Sequence, residues 1–162
     1  MKRILKKMYL HFAPWGDISN KIVRLYHKMD ASWNKGKKFS SRYYCHLIER
    51  RYRCSISPGA KIKSGLYLPH PDGIVIGEKS IIGKNATIYQ QVTIGQNHKK
   101  YPIIGNNVII YAGAKIIGNV CIGDNSIIGA NAVVTKDVPS NSIWGGNPAR
   151  ELKKRNDEEE YI

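Results

Sequence analysis

Two of the chain's five histidines stand in segments rich in other chemically active groups. His70 lies in Pro69-His70-Pro71-Asp72-Gly73, and His98 in Gly95-Gln96-Asn97-His98-Lys99-Lys100-Tyr101-Pro102-Ile103. Imidazole is the side chain whose ordinary titration falls between pH 5 and 8, so either residue can hold or take a proton near neutrality. A carboxylate, Asp72, and a phenol, Tyr101, accompany them. Two histidines do not make a zinc centre, which takes three or four protein ligands. The cysteines Cys45, Cys54 and Cys121 are odd in number and lack any CxxC spacing, so they read as reduced packing residues, and no metal is expected.

Both segments interrupt a regular pattern. Aliphatic residues recur every six positions at Ile56, Ile62 and Leu68, at Ile76, Ile82, Ile88 and Ile94, and from Ile104 through Ile110, Ile116, Ile122, Ile128 and Val134. Four residues after many of these stands a small or β-branched side chain, as at Ala60, Ser80, Ala86, Val92, Ala114, Val120, Ser126, Ala132 and Val138. Glycine often follows directly, at Gly77, Gly83, Gly95, Gly105, Gly123 and Gly129. A six-residue period is too short for a helical array and predicts a parallel β-helix, in which short strands alternate with tight bends and each coil stacks on the one before. Glycine and asparagine would supply the positive φ of the bends. The breaks fall at Leu68 to Ile76 and at Ile94 to Ile104, where the spacing widens to eight and ten. A bulge in a stack gives up strand pairing, so function is expected at the breaks.

The rest of the chain is short and basic. Residues 1–54 carry a net charge of +11 and the remaining residues +3. Ile4, Met8 and Phe12 predict one helix ended by Pro14; Ile18, Ile22, Leu25, Tyr26 and Met29 predict a second from about Ser19. Residues 30–39 read as a loop, and a third helix is expected from a Ser40 cap with Tyr44, Leu47 and Ile48 inward. This segment would cover the open end of the first coil, and its cations suit attachment to an anionic inner membrane surface or glycan. No nucleic-acid-binding signature accompanies the charge. No apolar run is long enough to span a bilayer, and there is no secretory h-region, which points to the cytoplasm. The expected division is a basic helical segment over 1–54, the β-helix over 55–150, and a charged tail over 151–162 that frays apart from a short helix.

The six-residue beat, His70-Pro-Asp-Gly-Ile-Val-Ile-Gly77, the coils YAGAKIIGNVCIG and IGANAVVTKDVP, and the closing GGNPAR resemble the left-handed β-helix acyltransferases. Within them the chain is most similar to the serine acetyltransferase branch and to its relatives that O-acetylate capsular polysaccharides and lipopolysaccharides. The resemblance implies acetyl-CoA as co-substrate and His70 as the general base that takes the proton from an acceptor hydroxyl. It implies a CoA groove at Gly95, Ala112 and Ala130, with Lys136 and Arg150 towards the nucleotide, and a homotrimer in which His70 faces residues 95–103 of another chain.

On the acceptor side the chain departs from serine acetyltransferases. The Asp they place before the catalytic histidine is Pro69 here, the Asp fifteen residues upstream of it is Ser55, and their second histidine aligns with Tyr101. Their large helical N-terminal domain is replaced by the basic segment. The expectation is therefore O-acetylation of a sugar hydroxyl on a cell-envelope glycan at the inner membrane face, with Ser55, Asp72, His98 and Tyr101 around the acceptor. The alternatives are a serine acetyltransferase, to which the terminal Ile162 points, and a non-catalytic β-helix scaffold. A β-helix hydratase would need a third histidine ligand that the repeat lacks.

Overall fold

The computed structural model describes residues 14–155. After α1 (Pro14–Asn34) and α2 (Lys38–Tyr52) the chain winds into a three-sided parallel prism. The first face stacks β1 (Ser55–Ile56), β3 (Val75–Ile76), β6 (Thr93–Gly95), β9 (Lys115–Ile117) and β12 (Val133–Val134). The second stacks β2 (Lys61–Ile62), β4 (Ile81–Ile82), β7 (Ile103–Ile104) and β10 (Cys121–Ile122). The third stacks β5 (Thr87–Ile88), β8 (Ile109–Ile110), β11 (Ile127–Ile128) and β13 (Ser142–Gly145), with β14 (Arg150–Lys154) antiparallel on its end.

Register converts the six-residue beat into a core. Ile76 lies beside Ile56 below and Ile94 above, Ile94 beside Ile116, and Ile116 beside Val134. Neighbouring strand residues face opposite ways, so each beat residue points inward, and all but Ile62 are buried. The residues four further on, Ala86, Val92, Ala114 and Ala132 among them, fill the corners and are also buried. Complete burial of each isoleucine contributes roughly 1.5–3 kcal/mol before the entropy of ordering it is subtracted.

The bends are made by glycine and asparagine, as expected, with Gln91 joining them. Positive φ falls three residues after the beat, at Gly59, Gly65, Asn85, Gln91, Asn107, Gly113, Asn125 and Asn131. Gly83, Gly105 and Gly123, directly after the beat, serve close approach. A Cβ on Gly83 would overlap the backbone of Gly105, and one on Gly105 would overlap the Asp124 carboxylate. Along the same edge Asn85, Asn107, Asn125 and Asn141 form a ladder, each Nδ2 donating to the next Oδ1 at 3.0–3.1 Å. Asparagine tolerates the left-handed conformation and its amide repeats at the coil spacing, so one residue type meets both demands.

The helices close the first coil. Tyr26 donates its hydroxyl to the Ala60 carbonyl at 3.0 Å and accepts from the Ile62 amide at 2.9 Å; Ser19 Oγ accepts from the Leu68 amide at 2.9 Å. Ile22, Tyr26, Met29 and Ile48 are buried against the prism, as the stripe predicts. Two expectations fail here. Much of the expected 30–39 loop is helical through Asn34, because extending α1 brings the Trp33 indole against the bend at Gly59. Nor is Ser40 a cap: α2 starts at Lys38, and the serine that matters is buried Ser41, whose hydroxyl donates to the Met29 carbonyl at 3.1 Å. The helix expected over Ile4 to Phe12 lies outside the described residues. Residues 150–154 form β14, not a helix, and cover the otherwise open backbone edge of β13; the tail expected to fray lies, beyond residue 155, outside the described residues. No described helix is long and apolar enough to cross a membrane.

Candidate active site

The first break opens at the edge where the third face turns into the first. Residues 69–73 make a wide corner in which Pro69 and Pro71 are buried and His70 between them is exposed. Alternation of this kind turns the imidazole outward while the prolines anchor the backbone. The His70 ring lies 6.4 Å from that of Tyr89, tilted by 42°, and Tyr89 stacks on Tyr111 at 5.2 Å. Both tyrosines directly follow a beat residue in successive coils, the position that points outward. Burial, followed by the neighbouring Tyr111 and Tyr67 phenols, pushes the Tyr89 hydroxyl above its ordinary pKa.

Other expected site residues share this edge. Ser55 sits in β1 immediately below, its amide donating to the Ile74 carbonyl at 2.8 Å. Asp72 forms an ion pair with Arg53 at 2.9 Å, so its carboxylate is already engaged. Ala112 and Ala130 occupy the corners of the next coils; the Asn131 amide donates to the Ala112 carbonyl at 2.9 Å. Together with Gln90 they continue the corner column upward from His70. Arg150 opens β14 near the top of the same edge, its guanidinium donating to the Ala149 carbonyl at 2.8 Å.

The remaining candidates lie on the opposite edge of the first face. Gly95 ends β6, and residues 96–101 leave the prism as a small hairpin in which Asn97 and Lys100 exchange both backbone hydrogen bonds at 3.0 Å. His98 and Lys99 at its tip have φ of +47° and +62°. A two-residue turn with both central residues left-handed matches the twist of a hairpin, and side chains other than glycine or asparagine adopt it at a cost. Tyr101 folds back over Gly77, where an added Cβ would lie 3.0 Å from the ring. Lys136 is exposed at this same corner, one residue before Asp137, which accepts from the Cys121 amide at 2.8 Å. Within one chain, then, His70 and the pair His98 and Tyr101 are separated by the width of a sheet. Sequence reasoning passed over Tyr89, Tyr111, Arg53 and Ser19. For the tyrosines the signal was their place after the beat; for the other two there was none, since their partners are distant in sequence. No group of three potential metal-binding side chains occurs among the described residues.

A family model described as bacterial transferase hexapeptide (six repeats) matches residues 101–136. A serine acetyltransferase of Staphylococcus aureus is 37% identical over 161 residues, 91% of this chain and 76% of that protein. One from Helicobacter pylori is 47% identical over 103 residues, 61% of this chain and 60% of that protein. Among solved structures, a serine acetyltransferase from Vibrio cholerae superposes with a TM-score of 0.82 at 33% identity over 86% of this chain and 55% of that one. A complex of the Brucella abortus enzyme with coenzyme A gives 0.80 at 33% identity, covering 83% and 55%. The fold and repeat make the chain a β-helical hexapeptide-repeat transferase. It belongs to the serine acetyltransferase family. The chain spans about 60% of the Helicobacter protein's length and 55% of these solved chains.

These relatives overturn the expected sugar acceptor and give no support to attachment at the membrane face or to a capsular or lipopolysaccharide branch. The error has a physical root. The sugar expectation rested on contacts to serine thought to be lost at Ser55, Pro69 and Tyr101, and the loss of one set of partners, by itself, creates no contact to a sugar and does not select another substrate.

Proposed function

We propose that the protein transfers an acetyl group from acetyl-CoA to the hydroxyl of L-serine. The observation that carries this reading is the 37% identity to a serine acetyltransferase across nearly the whole chain, joined with a histidine displayed at an edge of the prism. His70 takes the proton from the serine hydroxyl as that oxygen attacks the thioester carbonyl. The C–S bond then breaks, the sulfur leaves with a proton, and O-acetylserine and CoA are released. A well-placed base of this kind contributes about 10²–10⁴-fold.

The split of candidates between two edges of the first face supports a trimeric reading. In a three-fold assembly each groove pairs the His70 edge of one chain, with Ser55, Asp72, Ala112, Ala130 and Arg150, against the Gly95, His98, Tyr101 and Lys136 edge of the next. Small corners let the pantetheine arm approach the main chain, and the cations suit its phosphates.

The test is CoA release with L-serine as acceptor, in wild type and His70→Ala, together with native mass. Serine-dependent turnover that falls about 10²–10⁴-fold in the variant, from a species of three chains, is the expected outcome. Equal turnover in the variant would remove His70 from its role, and a fully active monomer would end the shared-groove reading.

A further inference from the structure

The corner that carries His70 is tied to the helical segment on both sides. Before the histidine, the buried Ser19 hydroxyl of α1 accepts from the Leu68 amide at 2.9 Å. After it, the Arg53 carbonyl accepts from the Gly73 amide at 2.8 Å, and the Arg53 guanidinium meets the Asp72 carboxylate at 2.9 Å. We infer that the helices clamp this corner at both ends and that Arg53 is a positioning residue for His70, an assignment that rests on reading His70 as the base.

Two features separate this role from simple stabilisation. The side chains of the ion pair are 83% and 55% exposed, a setting in which such pairs contribute little to folding. Arg53 is also the left-handed residue that ends α2, with φ +49° and ψ +34° and its amide donating to the Glu49 carbonyl. Glycine is the residue that this conformation favours. An arginine there forgoes that backbone preference, and what its side chain gains is a hold on the corner that displays the histidine. The loop is two residues longer than the repeat allows; the buried Pro69 and Pro71 and the Gln91 amide, which donates to the Asp72 carbonyl at 2.9 Å, fix it to the prism, and Arg53 adds its tie to the helices. Misplacement of a reacting group by about 1 Å is enough to cost on the order of a hundredfold in rate.

Arg53→Gly is the discriminating variant, because it preserves the left-handed backbone and the carbonyl bond to Gly73 while removing the guanidinium. The clamp predicts a kcat for serine acetylation lowered roughly ten- to hundredfold, an unchanged KM for acetyl-CoA, an unchanged or higher melting temperature, and recovery of most of the rate in Arg53→Lys. In parallel, amide exchange over residues 68–74 is measured in wild type, Arg53→Gly and Ser19→Ala, with faster exchange expected in both variants. Wild-type kcat in Arg53→Gly, or exchange unchanged in both variants, overturns the clamp. If wild type fails to acetylate serine while exchange still rises in the variants, the serine reading falls and the clamp stands.

Discussion

Tyr26 shows how much one side chain can do at the junction of helix and prism. Its hydroxyl is donor to the Ala60 carbonyl and acceptor from the Ile62 amide, and the ring is buried. Burial is also the main reason its phenol titrates above the usual range. Tyr26→Phe leaves both backbone groups without their partner and should lower stability by about 1–3 kcal/mol in urea unfolding. The cysteines separate by the same logic. Burial first, and then the nearby Cys45, pushes the Cys54 thiol up to about 12, whereas Cys121 is exposed on the second face. Because the thiolate is the reacting form, iodoacetamide at pH 8 should label Cys121 rapidly and leave Cys54 intact until the protein unfolds, as mass spectrometry of the peptides would show.

At the scale of the coil, one edge is built from residues that cannot be enlarged. A methyl group on Gly105 would overlap the Asp124 carboxylate and press on the backbone at Gly123, so Gly105→Ala should cost about 1–3 kcal/mol as an overpacked site. Asp124 is itself a link between coils, accepting from the Asn106 amide at 2.7 Å and from Asn106 Nδ2 at 3.0 Å. These bonds, the backbone one foremost, hold its pKa below the ordinary carboxylate value. A folded-state pKa lower than the unfolded one means that the stabilisation is present above the ordinary carboxylate range and is lost as pH falls through the folded value. Asp124→Asn should therefore be less stable than wild type at neutral pH, with the difference closing in acid; a difference independent of pH would exclude the carboxylate as its source.

Taken as a whole the molecule is a stack in which each coil touches only its neighbours, closed below by helices and above by β14. Stability in such a stack comes from intrinsic and nearest-neighbour terms, so position along the axis matters. Ile94→Ala, in a central coil with Ile76 below and Ile116 above, should lose about 2–5 kcal/mol. Ile62→Ala should lose less, because Ile62 is only partly buried at the helical end. Comparing the two urea midpoints tests whether the core is uniform or weakens towards that end. The catalytic proposal also belongs to this scale: the edges that carry its residues lie on opposite sides of one face, and only a second copy can bring them together.

The six-residue beat determined the prism, its inward side chains and the positions of both breaks, because strand alternation and the need to bury one aliphatic residue per face are local demands written directly in residue type. It also singled out His70, Asp72, His98 and Tyr101, since irregular residues show against a regular background. That glycine and asparagine carry the positive φ of the bends was legible in residue type; that glycines directly after the beat, such as Gly83 and Gly105, serve contact between coils was not. The tertiary structure alone decided the edge on which each candidate sits, the β14 strand in place of a helix, and the ties from Ser19 and Arg53 to the His70 corner. Those depend on coil register and on partners as far apart as Ser19 and Leu68, and no pattern within a short window encodes such a distance.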